Sequence, residues 1–504
     1  MLNMQYHFII MKKLLVIGLL LASCSLVPAF GREFGDSLRY RGEIGVTFSD
    51  GAHTPFWMVS DHYGFSGLQK NNGWIRAGIF HDLDHDKRFS WGAGVELGGA
   101  YNFQEAFIPQ QIYAEVKYRC LNAMIGQKEM PGDLMTSDLS SGNLTASSNA
   151  RPIPQFRIGI FDYADVWGCK GWFAVKGYIG YGMFTQNRWM KDHYRDYGSA
   201  YTLNQLYCTR AIYFKFGDKR QFPLVGELGL RMDSQFGGTT YTYSEKDGWS
   251  KRKNPSDLKA WIKGMVPLGG ESSTPMGEQL NVQGNFLGNW TFALGWYDPN
   301  GWSVKAYYQH FFEDHSMLFF DYPWKDGLWG LEGHMPKNPF ISEAVIEYIT
   351  TRDQSGPAYY DHTPALNHQV SSVDQYYNHY IYQTWSNFGY AMGNPFLISP
   401  IYNAGHQNEF LHNRIDAWNI GLKGDPTRQV SWKLRMSGIN SWGTYSKPTR
   451  HVLHDFSMLV QASWHPAKLK GWEGTLTFAL DNGNLIGKSA GFGITISKTG
   501  FIKF

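Results

Sequence analysis

From Leu38 onward, apolar and polar residues alternate one by one in a long succession of short segments. Leu38, Tyr40, Ile44, Val46 and Phe48 alternate with Arg39, Arg41, Glu43, Thr47 and Ser49. Trp91, Ala93, Val95, Leu97, Tyr101 and Phe103 alternate with Gly92, Gly94, Glu96, Gly98 and Asn102. The pattern returns over 112–118, 173–183, 212–216, 228–232, 290–296, 302–308, 430–436, 456–464 and 476–480. At the end of the chain Phe492, Ile494, Ile496, Ile502 and Phe504 share one parity, and Thr495, Ser497, Thr499 and Lys503 share the other. Period two is the signature of a β-strand with one apolar and one polar face. Helical periodicity is scarce, so the pattern predicts an all-β chain.

The connections between these segments fall into two kinds. Short ones are bracketed by aromatics: Phe80 and Phe89, Phe216 and Phe222, Trp296 and Trp302, Trp464 and Trp472. The tightest, Asp298-Pro299-Asn300-Gly301, has strong turn chemistry. Long ones cover 50–73, 127–154, 186–205, 236–287 and 313–340. Short turns at one rim and long loops at the other describe a transmembrane antiparallel β-barrel, with short periplasmic turns and long extracellular loops. A final strand with an apolar face and a terminal aromatic resembles the closing strand of such barrels, the end their assembly machinery reads. With both ends periplasmic, twelve strands fit between Leu38 and Thr351 and five follow Arg414. One more is then required within 352–413, giving about 18. Arg39, Arg41, Glu43, Glu96, Glu115, Lys117, Arg119, Lys176, Glu227, Arg231, Lys433 and Arg435 fall on the polar parity and are assigned to a wet lumen.

Composition sharpens this picture. Aromatics make up 16% of residues and glycines number 56, yet the mean hydropathy is −0.36; aromatic girdles around a polar lumen give that mixture. From Met11 the sequence Met-Lys-Lys-Leu-Leu-Val-Ile-Gly-Leu-Leu-Leu reads as a secretory signal, with Met11 as its start. Two cleavage readings stay open: a lipoprotein-like box at Leu21-Ala22-Ser23-Cys24, and plain cleavage after Val27-Pro28-Ala29. The domain boundaries are accordingly drawn as a signal over 1–29 and a single barrel over 30–504. No later run of eighteen apolar residues predicts a spanning helix. A net charge of +3 gives no reason to expect a nucleic-acid partner. Cys120, Cys169 and Cys208 permit one disulfide or none and show no metal spacing.

Several stretches resemble the Wzi-type family of capsule-assembly outer-membrane proteins. They are Thr54-Pro55-Phe56-Trp57 with Tyr63-Gly64, Asn149-Ala150-Arg151-Pro152-Ile153-Pro154-Gln155, and Gln309-His310-Phe311-Phe312-Glu313-Asp314. Asp326-Gly327-Leu328-Trp329-Gly330, Gln354-Ser355-Gly356-Pro357 and Gly393-Asn394-Pro395 complete the set. The resemblance implies an 18-stranded barrel acting as a lectin, with capsular polysaccharide, outer-membrane lipid and the barrel-assembly machinery as partners. The family's better-known members carry a helical plug facing the periplasm, and this sequence has no obvious helical bundle.

The richest candidate site is 309–332, placed mostly in an outer loop. There Trp324 and Trp329 offer flat faces to sugar rings, and Glu313, Asp314, Lys325 and Asp326 offer partners for hydroxyls or acidic substituents. The plainer reading makes these aromatics girdle or packing residues and the acids turn caps. Tyr376, Tyr377 and Trp385 form a second candidate within 376–394, weighed against interfacial aromatics and a Gly-Asn-Pro turn. His362, His368 and His379 lack ligand spacing, and neither a metal nor a cofactor is expected. Glu313 and Asp314 are neighbours that a strand would point to opposite faces, a poor start for paired-carboxylate glycosidase chemistry, and no G-x-S-x-G elbow marks a hydrolase. About 475 residues after the signal cannot hold a plug domain and a 22-stranded transporter barrel. The sequence thus favours a non-enzymatic polysaccharide-binding barrel of capsule assembly at the Gram-negative cell surface. A general or sugar-selective porin is the alternative, resting on the charged lumen face alone.

Overall fold

The alternation closes into a barrel. The computed structural model describes residues 37–135, 137–166, 168–169, 171–266, 283–313, 318, 325–354, 359–360, 369–370 and 375–503. Eighteen antiparallel strands form one closed sheet. They are β1 (Ser37–Gly51), β2 (Asn72–His81), β3 (Phe89–Tyr101), β4 (Phe107–Tyr118), β5 (Leu121–Gln127) and β6 (Gln155–Asp165). Next come β7 (Phe173–Met183), β8 (Leu206–Phe216), β9 (Leu224–Phe236), β10 (Asn285–Tyr297), β11 (Ser303–Glu313) and β12 (Gly327–His334). The circuit ends with β13 (Glu343–Thr350), β14 (Ile415–Gly424), β15 (Val430–Gly443), β16 (Pro448–Trp464), β17 (Trp472–Gly483) and β18 (Ser489–Lys503). Each strand pairs with the next, and β18 returns to β1 from Ser37↔Lys503 to Gly51↔Ser489. Closure leaves no strand edge in lipid, where an unpaired backbone group is costly.

Register sorts the side chains. Ile44, Val46 and Phe48 on β1 and Phe492, Ile494 and Ile496 on β18 are exposed on the outer wall. Glu96, Glu115, Arg231 and Arg435 are buried on the inner parity. Phe89, Phe216, Phe222, Trp296, Trp302, Trp464 and Trp472 form the expected exposed girdle at the short-turn rim. Phe80 does not join it: it points inward beneath the Arg39 guanidinium, 4.4 Å away. Arg119 also leaves its assigned place, since it occupies the β4–β5 turn at φ 55° and is exposed.

The strand count is the expected one, but one strand lies elsewhere. β13 pairs directly with β14, with Thr350 opposite Asp416, so no barrel strand comes from 352–413. The missing strand is β12, inside the stretch read as a single loop over 313–340. Within 375–413 the chain forms only two-residue pairings, such as Ser386–Asn387 with Tyr390–Ala391. Cys120, Cys169 and Cys208 are all unpaired. No described helix is long and apolar enough to cross a membrane.

Candidate functional site

Three long-rim segments, 52–71, 128–154 and 375–413, fold back into the barrel and fill that half of the lumen with an apolar core. Pro55 leads into a one-turn helix, Phe56–Val59, whose Phe56, Trp57 and Val59 are buried. The Phe56 ring stacks on Phe396 at 5.9 Å, and its amide donates to Asp481 Oδ2 at 2.8 Å. Trp57 Nε1 donates to Ser437 Oγ at 3.0 Å. The Arg435 guanidinium covers the Trp57 ring at 3.5 Å and donates to Asp61 Oδ2 at 3.0 Å. Burial outweighs that cation and lifts the Asp61 carboxyl to about 6.

Four donors of segment 128–154 and the wall converge on one inward carboxylate. Glu347 accepts from Ser140 Oγ (2.6 Å), Ser141 N (2.7 Å), Tyr307 Oη (2.6 Å) and Asn419 Nδ2 (2.9 Å). Segment 375–413 then locks onto the other two. Trp385 Nε1 donates to the Thr145 carbonyl at 2.8 Å, Asn394 Nδ2 to that of Gly142 at 2.8 Å and Tyr390 Oη to that of Ser66 at 3.0 Å. Each large apolar side chain buried here contributes about 2 kcal/mol, and the hydrogen bonds fix which loop meets which.

The plug has two faces. On the long-loop rim, 184–205, the hairpin Thr239–Ser244/Gly248–Lys253 and 375–413 converge in an aromatic platform. The exposed Tyr197 ring stacks on His406 at 4.0 Å, and His406 Nδ1 meets His193 Nε2 at 3.1 Å. Burial and the His406 ring lower His193 to about 4, so it is neutral at physiological pH. Gly198 lies against the Tyr243 ring, 3.1 Å from where a Cβ would sit. Tyr243 in turn meets Trp249 at 5.4 Å, and Trp249 meets Tyr201 at 5.4 Å. Among these tilted rings, Tyr197 and Tyr243 are the exposed ones, offering apolar faces with polar edges, the combination that sugar rings require.

Beneath the plug a chamber of about 750 Å³ reaches the short-turn rim, where Asp82, Leu83 and His85 line it. Ala146, Ala150, Trp385 and Met392 form its roof. Arg231 bridges Asp133 (2.8 Å) and Asp233 (2.9 Å), and Lys176 donates to the Asp133 carbonyl at 2.6 Å. Burial alone would raise the Asp133 carboxyl, but Arg231, Lys176 and Arg157 hold it below its ordinary value. Arg157 lies over the Tyr178 ring at 4.0 Å and donates to Gln155 Oε1 at 3.4 Å. Neither Arg157 nor Lys176 forms an ion pair among the described residues. A second chamber of about 310 Å³, lined by Glu43, Asp61, His62, Trp74 and Arg76, shares Arg41, Tyr63 and Glu129 with the first.

The residues picked from sequence fall largely on plug contacts. Asp314 and Trp324 lie outside the described residues. Glu313 is buried and accepts from the Tyr377 amide at 2.6 Å. Asp326 is fully buried, accepting from the amides of Gln354 (2.6 Å) and Asp353 (3.1 Å). Lys325 is exposed. Trp329 is not in a loop: it sits on β12, on the outer wall, stacked on Tyr308 at 4.1 Å and opposite Tyr348. Strand parity turns it away from any solute in the lumen. Tyr376, Tyr377 and Trp385 are almost wholly buried, so no open ring face is left for a sugar to stack on. Sequence reasoning missed Tyr197, Tyr243 and Arg157. Tyr197 lies in a long loop without periodicity and Tyr243 on a short rim hairpin inside the stretch read as one loop, whereas Arg157 alternates with Phe156 and Ile158 and was readable as a lumen residue.

No protein-family model matches the sequence, and no curated protein matches it. Among solved structures, the chain is similar to Wzi of Escherichia coli, an outer membrane protein involved in group 1 capsule assembly and a carbohydrate-binding β-barrel. That match has a TM-score of 0.54 at 15% identity and covers 92% of this chain and 84% of that one. OprD of Pseudomonas aeruginosa matches at a TM-score of 0.45 with 8% identity, covering 94% and 96%. OccAB4 of Acinetobacter baumannii matches at 0.44 with 10% identity, covering 94% and 100%. The likeness to Wzi, at this identity, is one of fold. Together with the closed 18-stranded sheet, it supports an outer-membrane location.

Proposed function

We propose that the protein is a non-enzymatic outer-membrane barrel of capsule assembly that binds capsular polysaccharide at the cell surface. The observation that carries this reading is the plug: three loops, knitted together by buried hydrogen bonds, close the long-loop half of the lumen beneath the aromatic cluster of Tyr197 and Tyr243. A conducting porin keeps a water-filled passage through its lumen, whereas a retaining lectin needs a preorganised outer face. The fold shared with Wzi, itself carbohydrate-binding, agrees with this. Tyr197 and Tyr243 replace Trp329 as the residues that stack on sugar. The second reading, a sugar-selective porin, rests on the charged chamber open at the short-turn rim. The test is binding of purified barrel to the host's own capsular polysaccharide, with a Tyr197→Ala/Tyr243→Ala variant beside it. Aromatic stacking on nucleobases is worth about 1–3 kcal/mol; on that scale, the double variant binds roughly tenfold more weakly. Equal binding by both removes the platform from the account. No binding together with stable channels in planar bilayers favours the porin.

A further inference from the structure

One part of the long-loop rim folds outward instead of inward. Tyr181 on β7, Cys208 and Arg210 on β8, and Ser234 and Phe236 on β9 share the parity of the exposed Ile179, Ile212 and Phe216. They therefore face away from the lumen. The helix Leu258–Met265 lies across them, its first turn capped by Asp257, which accepts from Ala260 N at 2.9 Å. Trp261 packs on Tyr181 at 4.8 Å and on Phe236 at 5.7 Å. Gly264 lets the helix approach closely, since a Cβ there would sit 3.0 Å from the Phe236 ring. Its carbonyl accepts from Ser234 Oγ (2.7 Å) and Arg210 Nη1 (3.2 Å).

Arg210 explains what such a cover does. It stands six residues along β8 from the girdle residue Phe216, which at about 3.3 Å per residue and a tilt near 40° is roughly 15 Å above that rim. An apolar band about 25 Å tall includes that height. Besides the Gly264 carbonyl, the guanidinium has Met232 Sδ at 3.9 Å and the Phe286 ring at 5.2 Å, and no carboxylate pairs with it among the described residues. On the side of the helix turned away from the wall, Leu258 and Ile262 are exposed at 77% and 50%, and Val266, the residue just past its end, at 41%. The spacing of four puts Leu258 and Ile262 on one stripe, which with Val266 continues the apolar outer wall of Ile179 and Ile212.

We propose that Leu258–Met265 is a lipid-contacting helix. It shields Arg210 from hydrocarbon with a carbonyl and aromatic rings, and presents Leu258, Ile262 and Val266 to the acyl chains of the adjacent leaflet. The occupant of this face is the bilayer itself, whatever the rim above it binds. The full chain, with Cys120→Ser, Cys169→Ser and Ile262→Cys, is labelled with an environment-sensitive fluorophore and reconstituted in phospholipid vesicles. A Tyr243→Cys chain, labelled on the rim hairpin, serves as the reference. The Ile262 probe should emit to the blue of the Tyr243 probe, be quenched roughly twofold or more by brominated acyl chains and be insensitive to aqueous iodide. Iodide quenching equal to that at Tyr243 overturns the proposal, because the stripe then faces water. Insensitivity to both quenchers also overturns it, because protein then covers the helix. If Ile262→Cys does not yield a heat-modifiable barrel, Leu258→Cys on the same stripe carries the same test.

Discussion

Glu347 and Asp326 are both buried carboxylates that hold the plug, yet they differ in how completely they are partnered. Glu347 accepts from four donors, two on segment 128–154 and two on the wall. Glu347→Ala leaves all four without an acceptor, and each buried orphan costs about 1–3 kcal/mol. The variant should lose at least about 3 kcal/mol in unfolding experiments and expose 128–154 to protease while the sheet persists. Asp326 accepts two amides, but burial prevails over them and lifts its carboxyl from 3.8 to about 7. The folded protein therefore keeps a proton that the unfolded chain releases near pH 4. Between about pH 4 and 7 the folded state binds more protons, so stability falls as pH rises across that window and levels off above it. At about 1.4 kcal/mol per unit, the whole effect is bounded near 4 kcal/mol. Cleavage of the chain beyond Thr350 should be faster at pH 8 than at pH 5, and Asp326→Asn should flatten the difference.

At the scale of elements, β12 decides the topology between Glu313 and Glu343. With β12 in place, 335–342 is a turn at the rim that also holds 298–302; were 313–340 a single loop, the two would lie at opposite rims. Labelling of intact cells with a membrane-impermeant thiol reagent separates these. Asn338→Cys and Asn300→Cys should both stay protected, while Tyr380→Cys, on the long-loop rim, should react. Labelling of Asn338→Cys alone would return 327–334 to a loop. The reason β12 is hard to read is physical. Its inward positions are Leu328, Gly330 and Glu332 and its outward ones Trp329 and Leu331, so apolar residues occur on both parities and the alternation fails. Pro323 and the Asp326-Gly327 pair ahead of it carry turn chemistry. Where inward positions meet water, as along Arg39, Arg41 and Glu43, alternation is clean and the strands are legible. Where inward positions meet the plug, as at Leu328, Ile349 and Ile439, they become apolar and the signal fades. The same cause hid the site. Phe56-Trp57, Gln309, Glu313 and Asn394 stand out in sequence, and the structure uses them to join loop to loop and loop to wall. The exposed Tyr197 and Tyr243 carry no comparable pattern.

For the molecule as a whole, the plug determines whether eighteen strands make a channel. A barrel of this size leaves an aqueous lumen when nothing fills it, and the inner wall here is charged enough to stay wet. β13 and β14 are already neighbours: Thr350 faces Asp416, and Thr351 N donates to the Ile415 carbonyl at 2.9 Å. A short Gly-Ser turn can therefore replace 376–412 without changing the sheet. That deletion removes Trp385, Tyr390 and Asn394 from 128–154 and 52–71, and takes the buried Tyr376, Tyr377, Phe396 and Phe410 out of the lumen core. Losing that burial, at about 2 kcal/mol for each large side chain, should lower thermal stability by several kcal/mol while heat-modifiable migration is retained. In planar bilayers the intact protein should conduct rarely, and the deletion variant should open stable channels. Porin-like conductance by the intact protein would mean that the loops do not close the lumen. A deletion variant that folds but stays silent would assign closure to 52–71 and 128–154 alone.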